Sequence, residues 1–123
     1  MTRTLKILAV TLVLLIALIA AGCPQHRTIA DLERNPGKYN GKPVTVVGVV
    51  KNTYGGGLPG TRYGGGIYEI DDGTGTMWVI ANGNPPNKGA EIATSGIFGN
   101  AISWSGRNYG TGISEEQRHY HKR

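Results

Sequence analysis

The sequence predicts a small, mainly β protein: a barrel of five strands with one short helix in front of them. Three observations lead to this prediction. Five segments are dense in β-branched and other apolar residues. The connections between them are rich in glycine and proline. Gly48 and Gly96 interrupt the first and fourth segments, as glycines do where barrel strands bulge or coil sharply.

The short helix is expected to cover about two turns after Thr28. The Thr28 hydroxyl can cap the start, with Asp31 three residues later, and Asn35-Pro36-Gly37 is expected to end the helix. The expected strands cover residues 44–50, 67–71, 77–81, 90–98 and 109–115. The second and third form a hairpin around Asp72-Gly73-Thr74-Gly75, and residues 100–108 are expected to be a polar connection.

The first 22 residues have the pattern of a secretory signal peptide. Arg3 and Lys6 precede an apolar run of 15 residues, positions 7–21. This run is shorter than the roughly 20 residues that span a bilayer. Small residues occupy positions 20–22, as a signal-peptidase site requires, and Cys23, the only cysteine of the chain, follows directly.

The segment Ala20-Ala21-Gly22-Cys23 resembles the lipobox of bacterial lipoproteins. The resemblance implies a diacylglyceryl group on the Cys23 sulfur, cleavage before it, and acyl chains such as palmitate that anchor the protein. Ala20 departs from the pattern, which usually has leucine there. The absence of aspartate at Pro24 implies outer-membrane sorting where an outer membrane exists. An uncleaved N-terminal helix, or ordinary cleavage that leaves a soluble protein with a free thiol, remain alternatives.

The expected organisation is a signal peptide at 1–22, a lipidated tether at 23–27, a barrel domain at 28–117 and a basic, frayed tail at 118–123. The protein is then expected on the extracytoplasmic side of the cell envelope, as in a periplasm. Loss of Arg3 and Lys6 lowers the net charge from +5 to +3. That excess permits a polyanion partner but does not require one.

Most of the mature chain, from Ile29 to about Arg118, resembles bacterial OB-fold domains of the tRNA-anticodon-binding-like type. The matching residues are Ile29, Leu32, Asn35-Pro36, Tyr39-Asn40-Gly41-Lys42, Val44, Val46, Gly48, Val50, Tyr68, Ile70, Asp72, Thr74-Gly75, Val79, Gly89, Ile92, Thr94, Gly96, Ile113 and Glu115-Glu116. The resemblance implies a ligand face on the second and third strands, flanked by the first long loop and the loop before the last strand. It says little about function, because this fold hosts many activities.

Alternation along these two strands assigns their side chains to the two faces. The residues expected in the core are Tyr68, Ile70, Met77, Val79 and Ala81. Those expected on the outer face are Ile67, Glu69, Asp71, Trp78 and Ile80. The candidate ligand-binding residues are Tyr54, Arg62, Tyr63, Glu69, Trp78, Trp104, Arg107 and Tyr109. Two alternatives remain open: Trp78 covered by a loop or the tail, and residues 52–66 as an ordinary flexible loop.

Neither catalysis nor a metal is expected. No serine, histidine and acid stand in a recognisable order, and Asp71-Asp72 is better explained by the hairpin turn. His26, His119 and His121 are a weak metal signal without a third ligand placed near the tail pair, so no metal or other cofactor is expected. Membrane-tethered haem chaperones with an OB fold and a C-terminal histidine are a minor alternative, because their longer histidine motif is missing.

Two functions follow as hypotheses. The first is a non-enzymatic envelope lipoprotein whose barrel binds another envelope component, a protein or a glycan. The alternative is an extracytoplasmic protein that binds single-stranded nucleic acid through aromatic and arginine side chains. The compartment and Glu69 weigh against the alternative. Phosphate binding weakens steeply with salt, whereas stacking on a neutral glycan hardly changes. The oligomeric state is not predicted.

Cys23→Ala tests the anchor. We expect the variant to stay unprocessed or to be released from membranes, because the acylated sulfur is lost. Fractionation in low and in high salt, together with labelling by radioactive palmitate, measures this. A variant that is still processed before residue 23 and still incorporates palmitate would show that Cys23 does not carry the lipid.

Overall fold

The fold is seen in a computed structural model that describes residues 24–55 and 65–121. The elements in chain order are β1 (Gln25–His26), α1 (Ile29–Arg34), α2 (Pro36–Tyr39), β2 (Pro43–Gly55), β3 (Gly66–Asp71), β4 (Thr76–Ile80), β5 (Glu91–Trp104) and β6 (Arg107–Tyr120). The expected signal peptide and Cys23 lie outside the described residues.

The barrel closes because β2 pairs with two strands at once. Residues 43–49 of β2 pair antiparallel with β5, and residues 49–55 pair antiparallel with β3. The sheet continues from β3 to β4, then to β6, which runs parallel to β4, and returns to β5. The two-residue β1 adds a parallel edge to the start of β2. The expected mainly β, five-stranded, OB-fold-like barrel is confirmed.

Two glycines allow the strands to come close enough for this closure. A Cβ atom built on Gly48 would lie 2.4 Å from the carbonyl oxygen of Asp71. One built on Gly96 would lie 2.0 Å from the carbonyl oxygen of Ser114. Real Cβ atoms do not come this close to a carbonyl oxygen, so both positions depend on the absence of a side chain. The glycines expected to mark sharp coiling therefore lie where backbones touch.

The barrel interior is filled by the residues expected from alternation on β3 and β4. Tyr68, Ile70, Met77, Val79 and Ala81 are buried in one cluster with the apolar side chains of the other strands. Ile67 was expected on the outer face and lies there, but its side chain is fully buried and not exposed to solvent. It lies opposite Ile80 and Tyr54 in the register, so other apolar side chains surround it there.

The helix starts as expected and is followed by a second one. The Thr28 hydroxyl accepts a hydrogen bond from the Asp31 backbone N–H at 3.2 Å. As expected, α1 ends at Arg34, directly before Asn35-Pro36-Gly37, but Pro36 then begins α2. A proline fits there because its fixed φ suits a helix start and its missing N–H is not needed. No helix among the described residues is long and apolar enough to cross a membrane.

The β3–β4 turn also holds the start of α1. The Asp72 carboxylate accepts the Ile29 backbone N–H at 2.8 Å, and its other oxygen accepts the N–H groups of Thr74 and Gly75. Burial alone would raise the pKa of Asp72, but these hydrogen bonds and that of the Thr74 hydroxyl favour the ionised form and lower it. Asp72 thus has a structural role, as expected for this turn.

The last two strands are longer than expected. Residues 100–108 are not a polar connection, because β5 runs to Trp104 and β6 begins at Arg107. Ser105 and Gly106 between them have φ of 52° and 78°, as a two-residue hairpin turn of type I′ requires. Residues 118–120 were expected in a frayed tail, but β6 continues through Tyr120 and pairs with β5. The pairing with β5 explains the difference.

Gly96→Ala tests the close approach of the strands. We expect the variant to lose about 1–3 kcal/mol of the free energy of unfolding, because a methyl group overlaps the Ser114 carbonyl. Urea unfolding measures the loss. Gly37→Ala is the control, since nothing lies within 4 Å of its added methyl and α2 favours alanine. Equal stability of the two variants would contradict the proposed role of Gly96.

Candidate functional site

Three aromatic rings from three strands meet on the outside of the barrel. The Trp78 ring centroid lies 5.8 Å from that of Tyr54 and 5.2 Å from that of Tyr109. The interplanar angles are 41° and 58°, so the rings are tilted against each other. Tyr54 is 53% exposed, and the other two are partly exposed. We call these three side chains, with Glu69 and Asn52 beside them, the aromatic surface.

The register of the strands explains why these residues meet. Asn52, Glu69 and Trp78 lie opposite one another on β2, β3 and β4 and form one row across the sheet. Tyr54 lies two residues beyond Asn52 on the same face, so its ring reaches Trp78 diagonally. Trp78 is thus partly exposed beside Glu69, which is the arrangement expected from alternation.

A glycine and a buried isoleucine support the rings from the neighbouring strands. Gly112 lies opposite Trp78 on β6, and a Cβ atom there would meet Ile102 Cδ1 at 2.3 Å and the Trp78 carbonyl oxygen at 2.6 Å. Ile102, on β5, is 6% exposed and fills the space that the missing side chain leaves. Ile102 is therefore a buried apolar side chain on the strand next to Gly112, outside the main core cluster.

The polar part of the aromatic surface is an acid held by an amide. The Asn52 side chain donates a hydrogen bond of 2.9 Å from Nδ2 to Oε1 of Glu69. Both side chains are half-buried. The amide fixes the direction of the carboxylate, which accepts further hydrogen bonds when ionised.

The other candidate residues fall into two groups. Trp104 reaches the end of β2, because its Cζ2 atom lies 3.1 Å from where a Cβ of Gly55 would be. Trp104 is opposite Arg107 at the turn of the β5–β6 hairpin, and Arg107 is exposed. Arg62 and Tyr63 lie outside the described residues. The hairpin end thus lies beside the end of β2.

The inner face of β6 carries a buried ion pair that the sequence did not predict. The Glu115 side chain is 1% exposed and that of Arg118 is 11% exposed. Arg118 donates from Nη2 to Oε1 of Glu115 at 2.6 Å and from Nε to Oε2 at 3.1 Å. This bidentate arrangement is a strong form of hydrogen bonding for an arginine and a carboxylate.

Three further donors complete the environment of Glu115. The Tyr68 hydroxyl donates to Oε2, the Thr94 hydroxyl donates to the same oxygen at 2.7 Å, and the Asn82 backbone N–H donates to Oε1 at 3.1 Å. Arg118 also donates to the Asn84 carbonyl at 3.1 Å. The network therefore joins β3, β5, β6 and the loop after β4 behind the aromatic surface.

The network shifts the pKa values of its members in the directions that favour the ion pair. Burial would raise the pKa of Glu115, but hydrogen bonds from Arg118, Tyr68 and Thr94 outweigh it and lower that pKa. Burial, then the hydrogen bond to Glu115, raises the pKa of Tyr68. Burial would lower the pKa of Arg118, but the bonds to Glu115 raise it. At neutral pH Glu115 and Arg118 are both charged.

A β-bulge explains why the pair was missed. Residues three apart on a regular strand point to opposite faces, so alternation predicts that Glu115 and Arg118 do not contact each other. Ser95 lies opposite Gln117 and Gly96 lies opposite Glu115, which leaves Glu116 as an extra residue. The extra residue restores Glu115 and Arg118 to the same, inner face. Only the opposing strand reveals this, because a bulge is a property of pairing.

The tail histidines lie on a different surface. His119 and His121 are exposed and line a shallow groove of about 510 Å³ with Val47, Ala93 and Tyr120. His26 is exposed in β1. In the part of the chain that the structure describes, no three histidine, cysteine or acidic side chains are grouped to hold a metal ion.

Arg118→Met tests the buried network. We expect a loss of about 3 kcal/mol at neutral pH, because a buried carboxylate loses its partner. The folded-state pKa of Glu115 is lowered, so its ionised form stabilises the fold above its ordinary pKa of 4.5, and this is lost as pH falls through the folded pKa.

The difference in free energy of unfolding between the original protein and Arg118→Met should therefore be largest at neutral pH and shrink below about pH 4.5. Urea unfolding across this pH range measures it. Arg107→Met, at an exposed position, is the control. A difference that does not change with pH, or a loss no greater than in the control, would contradict the network.

The chain matches no protein-family model and no curated protein. What the aromatic surface can do chemically therefore follows from its own geometry. It offers tilted, partly exposed rings for stacking and a fixed carboxylate for hydrogen bonding.

Proposed function

We propose that this protein is a non-enzymatic lipoprotein of the bacterial cell envelope, whose barrel binds another envelope component, a glycan or a protein, through the aromatic surface. The contact of the Trp78 ring with Tyr54 and Tyr109 is the observation that carries this proposal. Aromatic side chains give large contact areas at low entropic cost and are enriched where proteins bind partners.

The chemistry of the aromatic surface favours a neutral or partly cationic partner. Partly exposed rings pack against the apolar faces of sugars or against apolar side chains. The Glu69 carboxylate lies directly opposite Trp78 in the sheet and accepts hydrogen bonds from hydroxyl or amide groups. A partner that stacks on Trp78 would therefore meet an acceptor at its edge.

The same carboxylate disfavours nucleic acid. A phosphate placed beside Trp78 would be repelled by Glu69, because both are anionic at neutral pH. Arg118 is engaged in the buried ion pair with Glu115, so it is not available for a phosphate. The extracytoplasmic location that the lipobox-like segment implies adds to this argument. Binding to single-stranded nucleic acid remains the alternative that the experiment must test.

The anchor is supported by the sequence around Cys23, an apolar run followed by small residues and the only cysteine of the chain. Two or three acyl chains, at roughly 0.8 kcal/mol per buried CH₂, hold a domain stably at a membrane. Gln25 already pairs with Val44 at the start of β2, so a lipid on Cys23 would join the barrel through a very short tether.

Tryptophan fluorescence of the fragment 24–123 tests the binding function. The fragment keeps the entire core, because the core residues lie between Ile29 and Ile113. Cell-wall glycan fragments, single-stranded DNA and RNA are titrated at two salt concentrations. Salt-insensitive quenching by a glycan supports the proposal. Salt-sensitive quenching by nucleic acid, with none by glycan, would favour the nucleic-acid alternative. If none of the three ligands changed the fluorescence, a protein partner would remain.

Tyr54→Ala tests the role of the aromatic surface. We expect it to weaken binding about tenfold, as removal of one stacking ring does elsewhere. Tyr120→Ala is the matched control, because Tyr120 is 56% exposed against 53% for Tyr54 but lies on another surface. The dissociation constants from the same titration measure the effect. Equal weakening in the two variants would show that the ligand does not bind at the aromatic surface.

A further inference from the structure

A basic groove lies at the corner where the helices meet the barrel. It has a volume of about 330 Å³ and is lined by Arg27, Lys38 and Lys42, with the Tyr39 ring and Gln25 between them. Within the described residues, no carboxylate lines this groove, and none of the three cations forms an ion pair. The groove is therefore a local concentration of positive charge.

Two of the three cations contact the same aromatic ring. The Arg27 guanidinium carbon and the Lys38 ammonium nitrogen each lie 5.4 Å from the centroid of the Tyr39 ring. The Tyr39 side chain itself is almost fully buried, so the ring is a fixed part of the barrel. Like charges that share one ring repel each other, and an anion placed between them would relieve this repulsion.

One side-chain donor of Arg27, a residue that lines the groove, lacks a partner. The Nε atom of Arg27 is buried, and no hydrogen-bond acceptor among the described residues reaches it. A buried donor without an acceptor costs free energy, so such groups in folded proteins usually have a partner or a ligand. An anionic oxygen is the acceptor that a guanidinium binds most strongly.

The groove lies directly beside the expected anchor. Gln25, which lines the groove, is only two residues from Cys23 and pairs with Val44 at the start of β2. Two residues span at most about 7 Å when fully extended. A lipid on Cys23 would therefore hold the groove within about one headgroup layer of the bilayer surface.

We propose that the basic groove binds the phosphates of anionic phospholipid headgroups and seats the α2–β2 corner of the barrel on the bilayer. This inference rests on the proposed lipidation of Cys23. Each basic side chain near an anionic membrane surface strengthens binding by about a factor of five. The aromatic surface shares no residue with the groove, so both can be occupied together.

Vesicle binding of the fragment 24–123 tests the groove, because this fragment lacks Cys23 and its lipid. The double variant Lys38→Gln with Lys42→Gln is compared with the matched control Lys51→Gln with Lys88→Gln. All four lysines are exposed, and each double variant loses two positive charges. Co-sedimentation uses vesicles of phosphatidylglycerol with phosphatidylcholine, and of phosphatidylcholine alone. Circular dichroism verifies that each variant is folded.

We expect the original fragment to bind the anionic vesicles and not the neutral ones. The Lys38 and Lys42 double variant should bind roughly thirtyfold more weakly, and the control much closer to the original. Equal losses of vesicle binding in both double variants would overturn the proposal, because they would show only an effect of net charge and no role of the groove. Binding that does not depend on the anionic lipid would also overturn it.

Competition with inorganic phosphate distinguishes two possible ligands of the groove, the phosphate of a lipid headgroup and a free phosphate ion. Millimolar phosphate, added at constant ionic strength, should leave vesicle binding unchanged if the groove takes lipid headgroups at a surface. If phosphate released the protein completely from the vesicles, the proposal that the groove binds lipid headgroups would be overturned, and the ligand would be a free phosphate ion. The outcome is separate from the anchor: an absence of palmitate on Cys23 would refute the proposed lipoprotein without altering the vesicle result.

Discussion

The close approach of backbones at Gly48 and Gly96 is the constraint on which the rest of the structure depends. β2 can pair with β5 and then with β3 only if it bends sharply, and Gly48 faces the Asp71 carbonyl where a side chain would collide. Gly96 has the same role between β5 and β6. Closure of the barrel leaves a narrow interior, which apolar side chains from all five strands fill.

A bulge in β6 explains why a buried ion pair occurs in so small a core. The bulge at Glu116 turns Glu115 and Arg118 to the same side, and the end of β6 is thereby fixed to β3 and to the loop after β4. A buried ion pair is weak evidence for high stability, because desolvation offsets much of the attraction. Its consequence here is geometric, since β3 and β6, which the network joins, also carry Glu69 and Tyr109 of the aromatic surface.

Much of the fold follows from local sequence patterns, and the exceptions have physical reasons. Dense β-branched segments indicated the strands, and alternation identified Tyr68 and Trp78 on opposite faces of the sheet. The β5–β6 hairpin was missed because Ser105 is an unusual residue at positive φ and the flanking residues are polar. Arg118 was assigned to a tail because only pairing with β5 and the bulge turn it inward. The contacts of Trp78 likewise depend on register between strands that are distant in sequence.

Photocrosslinking in intact envelopes measures whether the aromatic surface faces the proposed partner. A diazirine-bearing amino acid is placed at position 54 or at position 120 of the full chain, since a diazirine inserts into glycans and proteins alike. We expect a discrete adduct from position 54, reduced when Trp78 is also replaced by alanine, and none from position 120. Adducts from position 120 alone, or identical adducts from both positions, would contradict this expectation.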